Sequence, residues 1–395
     1  MLEYFYKLDG DIERAWDAEG RDEDRFSEVA ATALRALPPS RGLDLEKLID
    51  TLLDPAVTKP SQLAPPGVFG QPGATVFRGR DYLVEVYFWQ QSVSAIHDHP
   101  FCGAFTLLQG FSVEAVYSFV THEDLGPRAR LGNLSLESLA LIEPGHVGAF
   151  GRRRHALVHA LLHVPVPSVS LVVRTERADG YLRYFPPGVA IAMDAPLETF
   201  ERPMQLLDTL RLSGHPGYSR RFEGFLRSAD FETTFRIMSR TWFGLTAQER
   251  ETWLNVARER HGDRVEMIRE ALQQAEVDYE ADALRQRLSD PEHRFITTAL
   301  LLSGNRSELL DLLAKRLTDP LESLHRFIDE AGVFADDEAA SAAIAHVMVD
   351  GGSAADAIER LAATWGEAEF SGREHEIHAF YTGCAFAPLG SRETV

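Results

Sequence analysis

Two histidines one residue apart, His97 and His99, close an apolar run in Ser94-Ala-Ile-His97-Asp-His99-Pro-Phe-Cys-Gly-Ala-Phe-Thr-Leu-Leu-Gln109-Gly110. In an extended strand successive side chains alternate faces, so both imidazoles point the same way and can grip one metal ion. A mononuclear site that also admits substrate needs a third ligand from a separate strand, with other positions left open. That ligand is sought in Arg152-Arg-Arg-His155-Ala-Leu-Val-His159-Ala-Leu-Leu-His163. His155, His159 and His163 recur at every fourth residue and share a face on an unbroken strand. Distance from the Pro144-Gly145 turn favours His155. Distance to the strand that starts near Ser168 favours His159, which is the preferred ligand, with His155 as the alternative. A histidine one pleat away would orient a ligand or a bound water. A closed structural zinc site fits less well, because zinc prefers four ligands, often cysteines, and only Cys102 is near.

Arg174 ends the apolar stretch Leu171-Val-Val-Arg174, where a buried guanidinium demands an anion. It is a candidate to hold a substrate carboxylate through a bidentate pair. Other chemistry-bearing residues offer less. His293 and His325 fall on amphipathic helices, and Glu374-His375-Glu-Ile-His378 lacks a third ligand. Cys102 reads as a small buried residue. No phosphate-cradling glycine motif, serine nucleophile elbow or zinc-knuckle spacing is present.

The elements that must position these side chains are strands. Tyr82 to Trp89, Phe105 to Leu108, Ser112 to Phe119, Leu134 to Ile142, Leu157 to His163 and Ser168 to Arg174 are short, apolar or alternating, and separated by breakers. That spacing predicts a sandwich or barrel. Ahead of them, Phe26, Val29, Leu34 and Leu37 form a helical stripe ended by Pro38-Pro39, and Leu43 to Leu53 forms another. Lys59 to Gly73 is rich in proline and glycine and marks a boundary or covering loop. Past about residue 200 the pattern is helical: Thr246-Ala-Gln-Glu249 matches a capping box, and Asp290-Pro291 and Asp319-Pro320 match N-caps followed by proline. After Asp319, Leu321, Leu324, Phe327 and Ile328 form one face, which Gly332 stops.

A chain of 395 residues exceeds one small core, and its net charge of −20 argues against nucleic acid or an anionic membrane as partner. The two cysteines exclude a disulfide framework and suit a reducing compartment. With no secretory signal at Met1-Leu-Glu-Tyr-Phe-Tyr-Lys and no run of membrane-spanning length, the expected location is the cytoplasm.

Ile96-His-Asp-His99 followed by Phe105-Thr-Leu-Leu-Gln-Gly110 resembles the first cupin motif of the cysteine dioxygenase (thiol dioxygenase) family, and Ser168-Val-Ser-Leu171 is similar to the strand after its third ligand. The likeness covers roughly residues 75–188. It implies a cupin double-stranded β-helix barrel, which the patterns above extend to an α+β chain with an N-terminal helical segment at 1–60, the metal-binding barrel at 61–200 and an all-α domain at 201–395. It further implies Fe(II) on three histidines with O2 as co-substrate. Histidine ligands also suit Mn, Ni or Zn. Arg78 lies roughly where the family places its carboxylate-binding arginine. Two departures stand out. Gly103 occupies the position where most cupins carry a glutamate ligand, which favours three-histidine ligation. Val172 and Arg174 replace the family's His and Tyr on the closing strand, which argues against free cysteine as substrate. The expected function is a mononuclear non-haem iron oxygenase acting on a small thiol, amino or carboxylic acid. The rival expectations are a ligand-binding sensor or interaction protein that meets a partner or itself through its helices, and a non-oxidative isomerase.

Overall fold

The computed structural model describes residues 2–62, 70–90, 95–152, 156–176, 180–334, 339–365 and 374–390. Three helices come first: α1 (Leu2–Ala18), α2 (Glu23–Ala36) and α3 (Leu45–Leu53). The Asp22 carboxylate accepts from the Asp24 N–H to cap α2, and Asp44 accepts from the Lys47 N–H to cap α3. Both aspartates satisfy donors that a helix start leaves unpaired. The expected stripe is buried through Phe26, Val29 and Leu34. It lies on Val84, Val86, Ala104, Leu171 and Val173, so these helices cover one face of a sheet.

Eleven strands follow among the described residues. They are β1 (Gly73–Arg78), β2 (Tyr82–Trp89), β3 (Ile96–His97), β4 (Gly103–Gln109), β5 (Ser112–Asp124), β6 (Ala129–Ile142), β7 (Val147–Phe150), β8 (Val158–His163), β9 (Ser168–Thr175), β10 (Leu182–Phe185) and β11 (Val189–Ala192). One sheet runs β1-β2-β9-β4-β7, and the other six strands close a barrel in the order β10-β11-β6-β5-β8-β3. The turn between β4 and β5 needs Gly110, whose φ is +86° and whose missing Cβ leaves room for Ser168. Between the two sheets lie Tyr87, Phe105, Leu107, Ile142, Phe150 and Val172.

All six strands expected from periodicity form. β5 and β6 run further than expected because Thr121 to Asp124 pairs with Arg130 to Gly132 across a hairpin, where Thr121, His122 and Asp124 are exposed and polar and give no apolar alternation to read. The short β3, β10 and β11 hold few residues each and owe their extended state to their neighbours.

From α4 (Arg202–Leu212) onward the described chain is helical. With α5 (Tyr218–Ser228), α6 (Phe231–Thr241), α7 (Ala247–His261) and α8 (Arg264–Arg287), α4 builds a core that includes Leu131, Val189 and Ile191 of the barrel. The helices beyond, among them α9 (Pro291–Leu302), α10 (Arg306–Leu313), α11 (Pro320–Glu330) and α12 (Ala339–Val349), cover Val113, Ala115, Ala160 and Leu162. The helical half thus shares its hydrophobic cores with the barrel. Its predicted starts are present: Thr246 and Glu249 form a reciprocal capping box, and Asp290 and Asp319 cap α9 and α11 ahead of their prolines. No helix among the described residues is long and apolar enough to cross a membrane.

Candidate metal centre

The site begins with a strand of two residues. Ile96 packs its side chain into the core on the helical side of the barrel, so its neighbour His97 must face the other way. β3 pairs with β8 on one side, His97 opposite His159, and with β10 on the other, His97 opposite Arg183. Asp98 fastens this fragment. Its carboxylate accepts from the Leu182 N–H at 2.7 Å and the Tyr184 hydroxyl at 3.0 Å, and its own N–H donates to the Leu182 carbonyl. The middle residue of His-Asp-His therefore pins the strand, while the outer two turn toward His159.

His97, His99 and His159 converge. One ligand atom from each lies within 4.8 Å of the other two, close enough for a single ion to bridge them. The ring centroids stand 5.0 Å (His97 to His99), 5.1 Å (His97 to His159) and 4.9 Å (His99 to His159) apart. Hydrogen bonds assign two of the rings. Nδ1 of His97 lies 2.9 Å from the Ala95 carbonyl oxygen, which can only accept, so Nδ1 donates and the lone pair is on Nε2. Nδ1 of His159 lies 2.7 Å from Oε1 of the buried Glu114, with the same consequence. His99 stacks on Phe150 at 4.4 Å, and its buried Nδ1 has no hydrogen-bond partner.

Burial governs the protonation of these rings. It pulls His97 down to about 4, an effect that His159 and Arg183 reinforce and the bond to Ala95 opposes. It also holds His99 well below its ordinary value, with His159 and His97 adding to the shift. Neutral imidazoles keep their lone pairs at physiological pH. The three histidines of the cluster, one with an orphaned buried nitrogen, fit a borderline divalent transition metal such as Fe, Mn, Ni or Zn and do not suit Ca or Mg, which take oxygen ligands.

Gly103 contributes by what it lacks. A Cβ there would come 2.3 Å from the Val173 carbonyl oxygen and 2.8 Å from Cζ of Phe150. No longer side chain can reach the site from this position without moving backbone, so the ligand set among the described residues stays at three histidines.

Of the sequence-derived site residues, His97, His99 and His159 are brought together. His155 lies outside the described residues. His163 faces the Ser112 hydroxyl (2.7 Å), stacks on Trp89 at 4.4 Å, and is pushed down to about 3 by burial and by Arg285. Arg174 is buried and donates from Nε to Oε2 of Glu85 at 2.5 Å, with its guanidinium 4.6 Å above the Phe101 ring. The same Glu85 accepts from the Tyr87 hydroxyl at 2.6 Å and faces the Thr75 hydroxyl at 3.3 Å. Arg78 pairs with Glu176 at the surface. His325 bonds to His346 between α11 and α12, and His375 and His378 are exposed on the helix Glu374–Gly383.

Sequence reasoning missed Glu114, Asp98 and Arg183. A faint signal for Glu114 existed, since it stands at the middle of Ser112, Glu114 and Val116, one face of an otherwise apolar strand. Nothing local connected that face to His159.

No protein family matches the sequence, and no curated protein does. A solved structure titled "Crystal structures of DMSP lyases RdDddP and RnDddQII" is similar at 14% identity and a TM-score of 0.20, over 28% of this chain. The match spans half the length of that structure. A likeness this slight decides neither fold family nor activity, and the chemistry rests on the histidines themselves.

Proposed function

We propose that this chain is a mononuclear non-haem metal enzyme of the cupin type, using Fe(II) and O2 to oxidise a small organic substrate. The observation that carries this reading is the convergence of three histidine nitrogens within 4.8 Å of one another inside a barrel. When bound, the metal supplies a redox-active centre with positions open to substrate and dioxygen. The chain's own residues do the rest. Glu114 fixes the His159 tautomer and ring orientation, as an outer carboxylate does for a ligating imidazole. Ala95 does the same for His97 through its carbonyl. Phe101, Phe105, Phe150 and Val172 line an apolar interior that excludes water from the reacting centre. Arg174 lies over Phe101 beside His99, and a substrate carboxylate would have to compete with Glu85 for it; Arg78 is engaged by Glu176 at the surface.

The test is metal analysis of protein purified without oxygen, followed by oxygen uptake of the iron-loaded chain with a panel of thiols, amino acids and carboxylic acids. Stoichiometric metal in the wild type, its loss in His97→Ala at an unchanged melting temperature, and oxygen consumption with a panel member are expected. Normal iron content in the variant would overturn the ligand set. Turnover that proceeds unchanged without oxygen would overturn the oxygenase reading.

A further inference from the structure

Arg183 has neither a hydrogen bond nor an ion pair among the described residues, and its Nε is shut off from solvent. The residue is half-buried, and an Nε cut off from water without a partner forfeits its hydration with nothing in return. Unsatisfied buried polar groups of this kind are rare in folded proteins and call for a physical reason. The fold has not merely trapped the side chain under a carboxylate. Asp278 on α8 is the acidic group whose charge reaches it, and the two form no ion pair. Instead the guanidinium lies 4.7 Å over the ring of Phe185, its neighbour two residues along β10.

The surroundings are built for a ligand. Arg183, Arg236, Arg240, Glu201, Phe200 and Phe235 are among the residues that line a cavity of about 290 Å³ where β10 and β11 meet α6 and the chain entering α4. This is close to the lower size limit of small-molecule sites, and aromatic walls with a few polar groups are their usual lining. Two of the three arginines are already neutralised: Arg236 by Glu232, and Arg240 by Glu201 and Asp208. Arg183 alone among them keeps its charge for something else. It is also the residue opposite His97 across the β3–β10 pair, and directly opposed residues on antiparallel strands share a face.

We propose that this cavity is an oxyanion subsite, in which Arg183, on the strand face it shares with His97, receives the carboxylate or phosphate of a small organic anion. Arg183 forks two N–H donors toward such a group, a geometry that lysine cannot reproduce. Phe200 and Phe235 from the helical half supply the apolar walls. The helices beyond residue 200 thereby contribute directly to ligand binding. That the anion belongs to the substrate rests on the metal-enzyme reading above; that the cavity binds an anion does not.

The experiment is titration calorimetry on the metal-free full chain, with inorganic phosphate and succinate as separate probes and chloride at equal ionic strength as the control. Binding of phosphate alone marks a phosphorylated ligand, and binding of succinate alone marks a carboxylate. Arg183→Leu should weaken the bound probe by roughly tenfold to a hundredfold, the loss expected for a charged hydrogen bond. Arg183→Lys, which keeps the charge and guards against a folding artefact, should fall between the two. Neither probe binding above chloride, or Arg183→Leu binding as tightly as wild type, would overturn the proposal. Metal content is measured on the same proteins before the metal is stripped: Arg183→Leu should keep it, while His97→Ala should lose metal and, like wild type, bind the anion. A chain that fails to take up metal yet binds the anion through Arg183 would sink the histidine site and leave this one standing.

Discussion

Glu114 offers the sharpest test of the metal centre, because it touches no substrate and its contribution can be worked out in advance. Its Oε1 lies 2.7 Å from Nδ1 of His159, and both side chains are buried. A carboxylate in this position holds the ring with its other nitrogen aimed inward and strengthens that nitrogen as a donor; losing it costs about 10- to 100-fold in metal affinity. At about 1.4 kcal/mol per decade this is roughly 1.4 to 2.8 kcal/mol. Glu114→Gln keeps the size and one acceptor oxygen, so the ring stays in place and the loss should fall near tenfold. Glu114→Ala leaves the buried N–H without a partner. It should reach the upper end and also lower folding stability by about 1 to 3 kcal/mol. The assay is competition between the chelator-stripped protein and a chromophoric chelator for Zn(II) and for Co(II), with urea unfolding of the same proteins measured in parallel. A double-mutant cycle isolates the contact, since Glu114→Gln should add nothing in a His159→Ala background. Wild-type metal affinity in Glu114→Gln, or the same fold loss in both backgrounds, would refute the reasoning.

Three more outcomes are expected. Asp98→Ala removes the acceptor of the Leu182 N–H and the Tyr184 hydroxyl, so β3 should loosen at a cost of about 1 to 3 kcal/mol, with weaker metal binding; unchanged metal affinity in the folded variant would contradict it. Gly103→Ala drives a Cβ against the Val173 carbonyl oxygen and the Phe150 ring, and the urea midpoint should report a loss of about 1 to 3 kcal/mol; an unchanged midpoint would show that the strand yields. His163 is held at about 3 against an ordinary 6.5, so below pH 6.5 the unfolded chain takes a proton that the folded chain refuses. Stability should therefore fall with acidification, by at most about 1.4 kcal/mol per pH unit for this group, and return as the pH is raised. His163→Gln should flatten that slope between pH 6.5 and 5 relative to wild type, and equal slopes would count against it.

Local chemistry was legible in the chain, and long-range pairing was not. His-Asp-His announced two ligands because a strand has a period of two, and the same period put His159 on a face it could share with them. Helix starts at Asp290, Asp319 and Thr246 were readable because a cap is decided within a turn of its own residues. The tertiary structure decided which strand lies beside which. Only the β3–β8 pairing brings His97 to His159, and only the β5–β8 pairing brings Glu114 to the back of that ring. Only the β2–β9 register gives Arg174 its glutamate, on a strand separated from it by most of the barrel sequence. Hydrophobic alternation states which face a side chain takes; it carries no information about the neighbour across the gap, which hydrogen-bond register and the packing of whole sheets select together.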